Sequence, residues 1–374
     1  MNRIKLLILK ILIRLLRPFS PRLNRDLKQG KNILFIRNDG LGDFLLFLPA
    51  AKLYRRAFPD HRLILFCSAV APLARQCGLF DEVIEIPHTR FRPDWKTLLL
   101  FSVFPAEILI NTLHGRNAQT DLFAMVSPAK RKICFSRREE ALPDVEKIAG
   151  YERFYTQTLL FRKETLIRKL HGDVVRMLCP EIKDFCDELP EFPVAEKQPL
   201  AASYYVLVPG AEDSRRMWGV PAFREIVFRL REKFPQLIPV VTGTEKEWSL
   251  GEQILSGSPD GLNLCGKLSL PDLGAVLKQA EFTIGNETGG THFSAILRTE
   301  TFVILGGGHY GIYMPDPENP FYHCFTAEDR TCFNCCWHCR KECSGIYPCI
   351  SSIPVDAVVQ AILKARKKEN LKFF

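Results

Sequence analysis

Six stretches of this chain hold residues that can do chemistry, and each follows a run that reads as a β-strand: Asn38 to Asp43, His114 to Gln119, Gly210 to Trp218, Gly243 to Glu247, Gly285 to His292 and Gly306 to His309. The richest is FTIGNETGGTHFSAIL, Phe282 to Leu297. Its apolar strand breaks on glycine and restarts as a helix near Thr291. Thr288, Gly289, Gly290, Thr291 and His292 then offer free backbone N–H groups at the positive end of a helix dipole, where phosphate binds. Glu287 stands where a carboxylate accepts ribose or sugar hydroxyls. The same residues also suit an ordinary tight turn with a satisfied helix-start histidine. Asp43, in NDGLGDF, is a candidate general base, although the helix N-cap position it occupies would also account for it. Arg215 or Arg216 is a candidate phosphate ligand, because guanidinium matches phosphate with paired N–H bonds; either also serves as a solvated loop charge. Glu245 and Glu247 hold ribose hydroxyls or are helix-start charges favoured by the dipole. His114, Arg116 and Asn117 lie in a polar loop of the kind that binds ligands beyond a strand. A base for an acceptor hydroxyl, with positive charge and N–H groups for departing phosphates, is what transfer from a nucleotide-activated donor needs. NDGLGDF lacks the third glycine of a dinucleotide fingerprint, and neither a P-loop nor GxSxG is present.

The elements that must position these loops alternate. ILFIR, RLILFC, DEVIEI and AEILIN read as strands, with helices between them, from residue 32 to about 180. YYVLVP, LIPVVTG, EFTIG and ETFVILGGG form a second series from 204 to 353. Such alternation means an α/β fold with parallel sheets covered on both faces. Residues 139–169 read as mixed and helical. The Pro-, Glu- and Lys-rich stretch 181–203 is the linker between two domains, as 374 residues imply. The final helix, 354–374, is long enough to return across the first domain. No residue-level repeat relates the halves.

The formal charge of +9 is a property of the tail: residues 1–31 hold nine basic residues against Asp26 alone. That excess predicts no nucleic-acid partner. MNRIKLLILKILIRLLRPF sets Arg3, Lys10, Arg14 and Arg17 on one helical stripe and Ile and Leu around the rest. It is too short to span a bilayer and has no signal-peptide order of charges. It reads as a basic amphipathic helix on an anionic membrane surface, or as a helix docked on the protein's own core. With no export signal, the thirteen cysteines point to a reducing cytoplasm. Seven of them lie between Cys324 and Cys349, where Cys332/Cys335 and Cys336/Cys339 have zinc-ligand spacing. They hold a structural zinc or iron–sulfur cluster or remain thiols.

ILFIRNDGLGDFLLFLPAAKLYRRAFPDHRL resembles the N-terminal signature of the ADP-heptose:lipopolysaccharide heptosyltransferases, glycosyltransferase family 9. VPGAEDSRRMW, NLCGKLSLPDLGAVLKQAEFTIGNETGGTH and the cysteine-bearing tail resemble the same family in the same order, from Lys31 to Ile353. The resemblance implies a GT-B fold, two Rossmann-like domains facing across a cleft, with the nucleotide-sugar donor held mainly by the C-terminal one. It implies inversion at the anomeric carbon without a catalytic metal or other required cofactor. Asp43 matches the family's base and Arg216 its lysine before the loop tryptophan. Glu287 stands where Asp is commoner. The implied acceptor is a lipopolysaccharide core or other lipid-linked glycan, met at the inner face of the bacterial plasma membrane. A catalytically silent nucleotide-sugar-binding or assembly protein is the alternative on the same scaffold.

Overall fold

The computed structural model describes residues 3–16, 31–87, 94–114, 116–136, 150–161, 165–182, 200–339 and 345–370. The expected linker, 181–203, lies largely outside them. The chain forms two compact units, Met1–Arg162 with Ile167–Glu191, and Lys163–Leu166 with Phe192–Phe374.

The strands of the first unit are β1 (Asn32–Arg37), β2 (Arg62–Cys67), β3 (Glu82–Glu85), β4 (Ile108–Asn111), β5 (Arg131–Phe135) and β6 (Gln157–Leu159). Those of the second are β7 (Tyr204–Val208), β8 (Ile238–Val241), β9 (Leu262–Asn263), β10 (Thr283–Asn286), β11 (Thr301–Ile304) and β12 (Tyr322–Phe325). The helices are α1 (Arg3–Leu16), α2 (Leu41–Ala57), α3 (Ala71–Gln76), α4 (Trp95–Val103), α5 (Ala118–Val126), α6 (Ile167–Leu178), α7 (Val220–Lys233), α8 (Trp248–Leu255), α9 (Leu270–Lys278), α10 (Gly289–Ile296), α11 (Pro348–Ser351) and α12 (Val355–Asn370).

All strand pairings are parallel, and the orders are β3-β2-β1-β4-β5-β6 and β12-β11-β10-β7-β8-β9. Numbered from its own first strand, the second sheet has the order of the first. The halves therefore repeat in topology although their residues do not. A parallel pair needs a crossover, usually a helix, and both sheet faces are then covered. That is why β1, β4, β7, β10 and β11 are buried at every residue.

In each sheet the order reverses between the first and fourth strand, the place where open α/β sheets bind ligands. The Asp43 loop follows β1 and the Arg116 loop follows β4. The Arg216 loop follows β7 and the Thr288–His292 turn follows β10.

One reading changes: residues 157–159, within the stretch read as mixed and helical, are a strand, and residues 131–135 are another. Arg131 Nη2 donates to Gln157 Oε1 (3.1 Å) and Lys132 Nζ to Ala124 O (2.8 Å), so that basic pair braces the sheet edge. The C-terminal helix α12 contributes Val358, Val359 and Ile362 to the second unit's core. Arg229 pairs with Asp356, and Arg366 with Glu281, on the same unit.

Helix α1 is docked on the protein's own core along one side. Leu9 and Ile13 are buried in the first unit's core, while Leu7, Ile8, Ile11, Leu12, Leu15 and Leu16 are exposed, Leu15 to 67%.

Candidate active site

In the first unit, α2 begins at its N-cap Gly40 and carries Asp43 in its first turn. Asp43 is therefore not the cap, and no side-chain bond caps the helix. A first-turn carboxylate there is favoured by the helix dipole. Its main chain is held from behind: Arg37, 2% exposed at the end of β1, donates from Nη2 to Asp43 O (2.9 Å) and from Nη1 to Thr112 O (3.3 Å). The same Nη2 lies 2.5 Å from Asp39 Oδ2. Burial and the neighbouring Asp43 push the Asp39 carboxyl up to about 7 against the pull of Arg37. His171 on α6 lies 3.5 Å from Arg37, and burial beside that cation holds it well below the usual histidine range, hence neutral. Sequence reasoning missed this Arg37–Asp39 pair. Its signal is a charged residue closing a wholly apolar strand.

The three residues assigned to an acceptor are occupied otherwise. Arg116 is 1% exposed. It donates from Nε to Asp121 Oδ1 (2.7 Å) and from Nη1 to Phe135 O (2.5 Å), and stacks on Tyr151 and Tyr155. Tyr155 Oη donates to Asp121 Oδ1 (2.9 Å) and accepts from Asn111 Nδ2 (2.6 Å). A buried cation needs this degree of compensation, so Arg116 is a strut of the fold. Asn117 is the N-cap of α5, accepting from Thr120 N–H (3.2 Å). His114 is buried with its ring 4.9 Å from that of Phe161.

In the second unit the two candidate arginines separate. Arg215 pairs with Asp213 (2.7 Å), the N-cap of the 3-10 turn Ser214–Arg216. No described carboxylate pairs with Arg216, and its buried Nε has no hydrogen-bond partner among the described residues. Arg216 is the arginine left for a ligand. Asn286, a second residue that sequence reasoning passed over, laces this loop to β10. It accepts from Trp218 N–H (3.0 Å) and donates to Pro209 O (2.6 Å).

Beyond β10, Thr288 is the N-cap of α10, and its N–H donates to Thr291 Oγ1 (3.1 Å). Thr291 Oγ1 in turn donates to Asn286 O (2.9 Å). Gly289 and Gly290 form the first turn, and a Cβ on Gly290 would meet Val208 at 2.9 Å, which is why the helix start can lie against β7. His292 is buried, with Nδ1 2.9 Å from Tyr322 Oη, and burial lowers its pKa to about 4. It is neutral at physiological pH, so the positive pole here belongs to the backbone N–H groups and not to the imidazole. Glu287 is buried at the end of β10. Glu247 is committed to a capping box, accepting from Thr244 N–H (2.6 Å), and its carboxylate fills the space beside Gly210 and Gly243. Glu245 is exposed.

Cys343, one of the seven clustered cysteines, lies outside the described residues. Among the described residues no three or more Cys, His, Asp or Glu converge on a metal position. Cys332, Cys335, Cys336 and Cys339 form no disulfide, and Cys336 is buried on a left-handed backbone, while Cys332, Cys335 and Cys339 lie near enough to Cys349 to add to burial in pushing its thiol up.

Known proteins decide what this geometry belongs to. The sequence model of glycosyltransferase family 9 (heptosyltransferase) matches residues 181–315. That stretch of the chain is similar to family 9 glycosyltransferases. The chain is 20% identical over 311 residues to lipopolysaccharide heptosyltransferase 3 of Escherichia coli K12, covering 74% of this chain and 83% of the relative. Its fold is that of E. coli ADP-heptose lps heptosyltransferase II, with a TM-score of 0.68 at 14% identity over 90% of this chain and 99% of that one. The dodecameric, iron-containing heptosyltransferase TibC of enterotoxigenic E. coli H10407, solved with ADP-D-beta-D-heptose, gives 0.57 at 14% identity, covering 91% and 78%. The expected fold class, two Rossmann-like parallel-sheet domains, is the one observed.

Proposed function

We propose that this transferase is inverting and metal-independent, and moves heptose or a similar sugar from a nucleoside-diphosphate sugar to a lipopolysaccharide core or other lipid-linked glycan. One observation carries the reading. Each unit places one half of the chemistry beside the order reversal of its sheet: an uncapped carboxylate in the first, and an open arginine with a helix N-terminus in the second. The relatives named for ADP-heptose and lipopolysaccharide supply the substrate classes.

In this mechanism each unit contributes its own half of the chemistry. The Asp43 carboxylate accepts the proton of the acceptor hydroxyl as its oxygen attacks the anomeric carbon from the face opposite the diphosphate. The carbon–oxygen bond to the diphosphate breaks and its electron pair leaves with the phosphate oxygen. Arg216 and the N–H groups of Gly289 and Gly290 at the start of α10 receive that charge, the service a metal performs in other transferases. Glu287 and Glu245 face the ribose and sugar hydroxyls of the donor. NMR of the product, made from purified protein and ADP-heptose, should show the opposite anomeric configuration to the donor. Retained configuration would sink the mechanism.

The same reading puts the enzyme at the inner membrane face. Six exposed Leu and Ile side chains on α1, flanked by exposed Lys10 and Arg14, have the composition of a helix that lies in an anionic lipid interface. Replacing Ile11 and Leu15 with Gln should abolish co-sedimentation with phosphatidylglycerol vesicles; unaltered co-sedimentation would contradict this placement.

A further inference from the structure

The cysteine-bearing segment after β12 has no part in the mechanism above, yet it is wrapped around the arginine loop. The Trp337 ring covers the Arg216 guanidinium at 4.4 Å, and the Tyr347 ring covers that of Arg215 at 5.0 Å. Tyr347 N–H donates to Arg215 O (2.9 Å), and Tyr347 Oη donates to Trp337 O (3.2 Å), so the two rings and the loop form one block.

Trp337 is itself pinned from the other side. Asn334 N–H donates to Gly307 O (2.7 Å) and Cys336 N–H to Gly308 O (2.9 Å), in the glycine run that follows β11. The indole N–H donates to His309 Nδ1 (3.3 Å). A Cβ on Gly306 or Gly308 would meet the indole at 2.4 or 2.3 Å, so those glycines are what lets the ring approach. Asn334, Cys336 and Trp337 all have positive φ, a conformation that costs free energy at non-glycine residues and persists where neighbouring contacts impose it. Strain of this kind concentrates at ligand clamps.

We propose that Trp337 is a positioning residue: it holds the Arg216 guanidinium in place for the donor diphosphate, and the cysteine-bearing segment exists to present it. The inference rests on the reading of Arg216 as the phosphate ligand. An arginine fixed in advance loses less rotamer freedom when the diphosphate arrives, and the flat indole face restricts it without neutralising its charge. Tyr347 does the same for Arg215, whose charge Asp213 already meets.

The test is a double-mutant cycle read by calorimetric titration with ADP on the full-length protein. Arg216→Ala should weaken ADP binding at least tenfold. Trp337→Leu should weaken it about 3- to 10-fold, the worth of a cation–π contact. In the Arg216→Ala background the same substitution should change affinity less than twofold, because the group it positions is gone. Trp337→Phe, which keeps a ring face, should retain most of the affinity. Equal losses from Trp337→Leu in both backgrounds would show a merely structural indole and overturn the proposal. Wild-type affinity in Arg216→Ala alone would instead remove the phosphate ligand, a failure of the underlying reading that is seen separately. If the leucine variant does not fold, Trp337→Met, whose flexible side chain fills the gap, takes its place in the same cycle.

Discussion

The two units have one strand order and opposite polar economies. In the first, the charged residues behind the sheet's carboxyl edge are spent inward: Arg116 on Asp121 and Phe135 O, Arg37 on Asp39, Thr112 O and Asp43 O. What remains for substrate there is a single uncapped carboxylate, Asp43. In the second unit the carboxyl edge keeps Arg216 unpaired among the described residues and offers backbone N–H groups at the start of α10. A scaffold of this kind fixes where a ligand binds. Which polar groups are already satisfied then decides what the ligand can be asked to do.

That contrast can be broken by substitution, and the largest effect should come from Arg116. Arg116→Ala leaves Asp121 charged, buried and without its cation, and should cost about 3–5 kcal/mol in denaturant unfolding. A loss of under about 1 kcal/mol, with weakened acceptor binding, would return Arg116 to the acceptor site and erase the difference between the units.

A smaller effect sharpens the comparison through pH. The Asp39 carboxyl is pushed up to about 7 in the folded protein from an ordinary value of 3.8, so between those values the folded state holds a proton that the unfolded state has released. Its contribution to stability is present at low pH and is lost as pH rises through 7. Asp39→Asn removes that dependence. Between pH 5 and pH 8 the wild type should lose about 2–3 kcal/mol relative to the variant, or roughly 4–12 °C in melting temperature. Parallel curves would mean that Asp39 is ionised throughout, as a simple partner of Arg37.

Much of the fold was legible because buried parallel strands are written as unbroken apolar runs. Ile33–Ile36 and Tyr204–Val208 have no polar residue to confuse the period, and they appear where expected. β5 was hidden because its first two residues, Arg131 and Lys132, are basic: they open a strand held between β4 and β6, and their long side chains reach to Gln157 and Ala124 O. β6 is three residues long and carries no pattern at all.

Site residues were legible to the extent that backbone makes the site. The glycine turn before α10 announced itself through Gly289 and Gly290. Side-chain roles were harder, because sequence does not say where a charge is spent. His114, Arg116 and Asn117 have the composition of a binding loop and are used for packing, pairing and capping. Arg215 and Arg216 are neighbours of one type, and only the position of Asp213 tells them apart. Cys332 to Cys339 have metal-ligand spacing, and what that spacing does not announce is that Trp337, between them on a left-handed backbone, covers Arg216.

The division of labour between the units is tested most directly at Asp43. With ADP-heptose as donor and a lipopolysaccharide-core acceptor, Asp43→Asn should lower transfer by about 10²–10⁴-fold, the worth of a general base, while calorimetry finds ADP affinity within about twofold of wild type. Transfer at an undiminished rate, or ADP affinity lost together with transfer, would contradict the assignment of the base to one unit and the diphosphate to the other.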